Sequence, residues 1–215
     1  MNVEKIIEQL ISDLRTIKDP NSIHWNERYL HHKFSYLVQK ESGFEINVTD
    51  APSKLHPEWA TSIKDKKRDG GFYARNDNGY EPRDNRKDSK YDSKGGNPGF
   101  IDFAIGDFDK PDYAVEFKMA KYMDAKGFAF DYMKLLDNRN RFKKGVISLS
   151  VVLGRKTKLE KNDLDKNLED ATKELGEYLS KPVGRKVLFY VIQIDEGKEP
   201  NVWKCTNVET GFEQV

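Results

Sequence analysis

Asp102, Glu116 and Lys118 are the residues of this chain whose types and spacing could do chemistry. They lie in two apolar stretches, Phe100–Ile105 and Tyr113–Met119, separated by a segment (residues 106–112) whose Gly, Asp and Pro content is that of a turn. Strand side chains alternate between faces, so Glu116 and Lys118 point the same way as Ala114, and Asp102 shares a face with Phe100 and Ala104. A hairpin closing symmetrically over residues 106–112 pairs Ile105 with Tyr113 and sets Asp102 opposite Glu116. Like charges there, with Cβ atoms about 4.5–5.5 Å apart, are destabilising. The compensating charge is either Lys118, two residues along the same face, or a divalent cation held by both carboxylates. Hard oxygen donors in so small a number suit Mg2+, which keeps waters and phosphate oxygens in its other positions.

The elements that position this hairpin can be read around it. Val3, Ile6, Ile7, Leu10, Ile11, Leu14 and Ile17 recur at helical spacing and predict an N-terminal helix over about residues 1–19. A second helix starts at Asn26 and carries Leu30, Phe34, Leu37 and Val38 inward until Gly43 stops it. Residues 44–48 are a short strand candidate, and about 50–99, rich in Lys, Arg, Asp, Asn, Gly and Pro, reads as a loop-rich insertion. After the hairpin come a helix over roughly 122–141, a nearly continuous apolar strand at 146–153, a helix through Leu164, Leu168, Ala171, Leu175 and Leu179, a buried strand at 187–194 and a weaker edge strand at 202–208. The whole, residues 1–215, reads as one α/β domain with a mixed central sheet flanked by helices.

Asp102, thirteen residues, then Glu116-Phe117-Lys118 resembles the signature of the PD-(D/E)XK nuclease superfamily, the restriction-endonuclease-like proteins. Its core order of helix, three strands, helix, strand (αβββαβ) is matched from about residue 26 to residue 153. The resemblance implies that Asp102, Glu116 and the backbone carbonyl of Phe117 hold Mg2+, with Mn2+ able to replace it, and that Lys118 orients or helps deprotonate the attacking water. A further acid is expected on the first core helix. Glu27, near the centre of the inward stripe, fits, with Glu41 ranked second at the helix end. The residue before Asp102 is Ile101 instead of the family's proline, and about fifty residues separate the first strand candidate from Asp102. The implied activity is Mg2+-dependent endonucleolytic hydrolysis of DNA. The alternative is a non-catalytic nucleic-acid-binding or assembly module that keeps the fold, its triad a structural salt bridge.

Charge supports a polyanionic partner locally. The chain has 37 Lys and Arg against 36 Asp and Glu, yet residues 118–161 carry 12 bases and 4 acids. Lys121, Lys126, Lys134, Arg139, Arg141, Lys143 and Lys144 follow the hairpin directly and are the candidate DNA-contacting residues, since affinity for a polyanion comes from counterions released where cations meet phosphates. A solvated helix face is the bland account of the same run. His31-His32, Asn47 and His56 have a spacing reminiscent of HNH nucleases, but the first two fall in a helical pattern and read as surface histidines. A lone cysteine, Cys205, excludes an internal disulfide, and no stretch has the roughly 18 apolar residues of a membrane helix, so a cytoplasmic protein is expected. The sequence leaves open whether it forms a homodimer.

Overall fold

The computed structural model describes residues 2–17, 26–42, 55–60, 72–76, 79–83, 100–107, 110–121, 125–138, 140, 142–153, 159–176, 179 and 185–215. Among these residues, four helices cover a seven-stranded mixed sheet. The helices are α1 (Val3–Arg15), α2 (Glu27–Ser42), α3 (Ala125–Leu136) and α4 (Lys161–Leu175). The sheet runs in the order β1 (Leu55–Ala60), β4 (Phe100–Gly106), β5 (Pro111–Ala120), β6 (Gly145–Leu153), β7 (Lys186–Ile194), β8 (Asn201–Cys205) and β9 (Glu213–Gln214). A separate hairpin joins β2 (Phe72–Asn76) to β3 (Gly79–Arg83).

Among the described strand pairs, only β5–β6 and β6–β7 are parallel. Each pair is joined through a helix, α3 and α4 respectively, because parallel neighbours need a crossover connection. β6 therefore lies at the centre of the sheet and is buried on both faces, which explains its nearly continuous apolar Val146–Val152 run. Its two serines, Ser148 and Ser150, are paired in register with Glu116 and Lys118 of β5. Small polar side chains stand where the neighbouring strand carries long charged ones.

The sheet separates two cores. On one side, Ile6, Leu10 and Leu14 of α1 and Leu30, Phe34 and Val38 of α2 pack on Phe103, Ile105, Val115, Phe117, Ile147 and Leu149. On the other, α3 and α4 bring Phe128, Tyr132, Leu136, Leu164 and Leu168 onto Ala104, Ala114, Val146, Phe189 and Val191. Asn2 begins α1 by accepting a hydrogen bond from the Lys5 amide (3.1 Å), so the helix starts where its apolar stripe does.

The hairpin closes in the expected register, with Ile105 opposite Tyr113, Ala104 opposite Ala114 and Phe103 opposite Val115. Gly106 makes the turn possible. Its φ is +109°, and a Cβ there would lie 2.9 Å from the Asp112 amide nitrogen.

Two expectations differ from the structure. The stretch read as an insertion supplies β1, a strand of the main sheet antiparallel to β4, as well as the β2–β3 hairpin. Pro57 and the positive φ of Glu58 (51°) hide β1 from any alternation test. β8 is not the edge, because β9 pairs outside it. The strand candidate at residues 44–48 lies outside the described residues. Among the described residues, no helix is long and apolar enough to cross a membrane.

Candidate metal centre

The ladder between β4 and β5 ends at Phe103–Val115, although β4 stays paired with β1 as far as Trp59–Ile101 and Ala60–Phe100. The strands part at Asp102 and Glu116, and each carboxylate takes over a backbone donor of the other strand. The Asp102 amide donates to Glu116 Oε2 (3.2 Å), and the Phe117 amide donates to Asp102 Oδ2 (2.7 Å). Side chains thus satisfy donors that the ladder no longer pairs. On the other flank Glu58, with its left-handed backbone, stands opposite Asp102 between the Pro57–Phe103 and Trp59–Ile101 pairs.

α2 completes this end of the sheet. Glu27, in its first turn, accepts from the Met119 amide through Oε2 (3.3 Å), and His31, one turn later, brings Nε2 to 3.3 Å from Asp102 Oδ2. The imidazole is wedged against Phe103 (edge-on, ring centroids 5.3 Å apart) and Phe117 (5.7 Å), so two core aromatics fix its place. Glu27, His31 and Asp102 each offer a ligand atom, and these atoms lie within 4.8 Å of one another. Glu41 is exposed on the last turn of the same helix, leaving Glu27 as the helix acid at the site.

The electrostatics follow from crowding like charges. Burial, and then Asp102, raise the Glu27 carboxyl above its ordinary value, although Lys118 and the Met119 amide pull the other way. Burial, with Asp131 and Asp102 nearby, pushes the Glu116 carboxyl up against the pull of Lys134. The Asp102 carboxylate raises the His31 imidazole, outweighing its partial burial.

The cation that meets Glu116 is Lys134, not Lys118. Lys134, on α3, is 5% exposed, bonded to Glu116 Oε1, 3.1 Å from Asp131 Oδ1, and donates to the Phe100 carbonyl (2.9 Å). Burial alone would lower its pKa, but Glu116 and Asp131 more than offset this and hold the ammonium charged. Lys134 therefore belongs to the site's internal charge balance and not to an exposed phosphate-facing surface. Lys118 lies 3.8 Å from Asp131 Oδ2 and remains about one third exposed. Phe117 meets Asp102 through its amide, and its ring is buried in the α2 core.

Among the described residues, the other basic candidates lie at two ends of the sheet. Lys143 pairs with Asp107 (3.0 Å) and Lys144 with Asp112 (2.9 Å) at the opposite end of the sheet, where β6 begins. Lys121 is exposed directly after β5, at the same end as Glu27 and Lys118. Arg139, Arg141 and the Lys126 side chain lie outside the described residues.

The residue reading missed His31, Glu58 and Asp131. Asp131 left a signal: it and Lys134 are the opposite charges at positions i and i+3 of the otherwise apolar Phe128–Leu136 segment, a spacing that lets them pair within a core. Compared with known proteins, the chain matches no family model, no curated protein and no solved structure.

Proposed function

We propose that this protein is a divalent-cation-dependent endonuclease that hydrolyses phosphodiester bonds of DNA, a member of the PD-(D/E)XK group. The observation that carries the reading is the convergence of carboxylates from three elements, Glu27 of α2, Asp102 of β4 and Glu116 of β5, beside the partly exposed Lys118. The order α2, β1, β4, β5, α3, β6, with the β2–β3 hairpin between β1 and β4, is compatible with an αβββαβ core, β1 standing in for the strand expected at residues 44–48.

The donor set fits a divalent cation, since carboxylate oxygens are its preferred ligands and Glu27 and Glu116 carry raised pKa values that a positive ion would relieve. Asp102 and Glu27 would hold it, with Glu116 tied to Lys134 beside them. Bound there, the cation lowers the pKa of a water and offsets charge developing on the phosphate. The chain's own residues do the rest. The Phe117 amide and His31 fix Asp102, and the Met119 amide fixes Glu27, so the carboxylates are set before substrate arrives. Lys118, tethered loosely to Asp131, is reachable from solvent and positions the attacking water or takes its proton.

One observation favours a second reading, a non-catalytic nucleic-acid-binding or assembly module. Lys134 already neutralises Glu116 inside the fold, as a structural salt bridge would. Thermal melts with and without millimolar Mg2+ or Mn2+ separate the two. The endonuclease reading expects the metals to raise the wild-type melting temperature and to do so far less for Asp102→Asn. No shift in the wild type with either metal would leave the module.

A further inference from the structure

The second inference rests on the metal-dependent reading and narrows the cation. Glu27, His31 and Asp102 form a mixed cluster in which an imidazole nitrogen stands beside two carboxylates, their ligand atoms within 4.8 Å. Glu116 is turned away from this cluster by Lys134, which holds its Oε1, and by the Asp102 amide, which donates to its Oε2. The acid that the sequence pattern pairs with Asp102 is therefore committed to protein donors, while the α2 side presents the open donors.

His31 is placed as a ligand would be. Its Nε2 has no solvent-exposed surface and makes no hydrogen bond of acceptable geometry among the described residues. At 3.3 Å from Asp102 Oδ2 it is close enough to pair with that carboxylate when the ring is protonated. Phe103 and Phe117 hold the ring so that this nitrogen faces the carboxylates. In the absence of a metal the protonated ring is held by Asp102; a metal ion taking the proton's place would engage all three groups at once.

We propose that His31 is a direct metal ligand and that, with Glu27 and Asp102, it makes the site selective for Mn2+ over Mg2+. Mg2+ takes oxygen ligands and is reluctant to exchange water for imidazole. Mn2+ accepts carboxylates equally well and tolerates a nitrogen donor, so the two carboxylates keep the site hard while His31 discriminates. Glu27 and His31, one helical turn apart, project from the same face of α2, so a single rigid helix supplies two of the three ligands.

The test uses the full-length protein with MnCl2 or MgCl2 as the probe. Isothermal titration should show Mn2+ binding to the wild type at least about tenfold more tightly than Mg2+, and His31→Ala should lose most of that ratio while still binding Mg2+. The electron spin echo of bound Mn2+ should carry the modulation of a directly bound nitrogen in the wild type, and His31→Gln should remove it. The spectroscopic arm needs only the wild type to fold, so it stands if His31→Ala does not. Mn2+ bound without nitrogen modulation, or a Mn2+/Mg2+ ratio unchanged in His31→Ala, overturns the role of His31 and leaves the endonuclease reading intact. Failure of the wild type to bind either metal overturns both.

Discussion

Asp102 and Glu116 exchange backbone donors across the point where β4 and β5 part: the amide of Asp102 bonds the Glu116 carboxylate, and the amide following Glu116 bonds Asp102. Two acids that would repel one another in a closed ladder are accommodated because each replaces a strand partner. This exchange separates the structural work of Asp102 from its chemistry. Asp102→Asn keeps an acceptor for the Phe117 amide and should cost less than about 1 kcal/mol, whereas Asp102→Ala orphans that amide and should cost about 1–3 kcal/mol. Urea unfolding of both variants measures the difference, and equal losses would contradict the exchange.

Lys134 should be the most damaging single charge to remove. Lys134→Met strands Glu116 and Asp131 in a buried setting, with an expected loss of about 3–5 kcal/mol. Adding Glu116→Gln removes one stranded charge and should restore more than about 1 kcal/mol. Strictly additive losses in that double-mutant cycle would show that the two residues do not act as a pair.

DNA contacts should concentrate at the Lys121 end of the sheet. Lys121→Ala should lower the slope of log affinity against log salt by about 0.9, the share of one phosphate contact. Lys144→Ala, paired with Asp112 at the other end, should change it little. A larger effect from Lys144, measured by fluorescence anisotropy across salt, would relocate the interface.

Cys205 gives an alkaline signature. Burial pushes its thiol up to about 11, so the unfolded chain ionises first as pH rises above the ordinary thiol value. The folded state then binds more protons than the unfolded one, and stability falls with rising pH, by up to about 1.4 kcal/mol per unit. Cys205→Ala should flatten urea midpoints between pH 9 and 11. An unchanged slope would assign the loss elsewhere, Tyr132 being raised in the same direction.

The sequence was most informative where local chemistry decides structure. Turn residues at both ends of 106–112 and strict alternation around them set the hairpin register, and the helical wheel placed Glu27 on the inward face of α2. It was least informative where tertiary partners decide. Lys134 counts as one more surface cation until α3 is docked with its polar side against Glu116. His31 looks like any histidine at the border of an amphipathic helix, because only the fold brings it to Asp102, seventy-one positions away. β1 was concealed by Pro57 and by the left-handed Glu58, which breaks alternation at the level of Asp102.

Metal-dependent cleavage of DNA at these converging carboxylates is proposed. Its most direct test is nicking of supercoiled plasmid by the purified protein in Mn2+, in Mg2+ and in EDTA, with Asp102→Asn of verified fold as the control. Conversion to open-circular and linear forms is expected with metal, none in EDTA, and none by Asp102→Asn. Equal nicking by wild type and Asp102→Asn, or intact plasmid in either metal at enzyme excess, would contradict it.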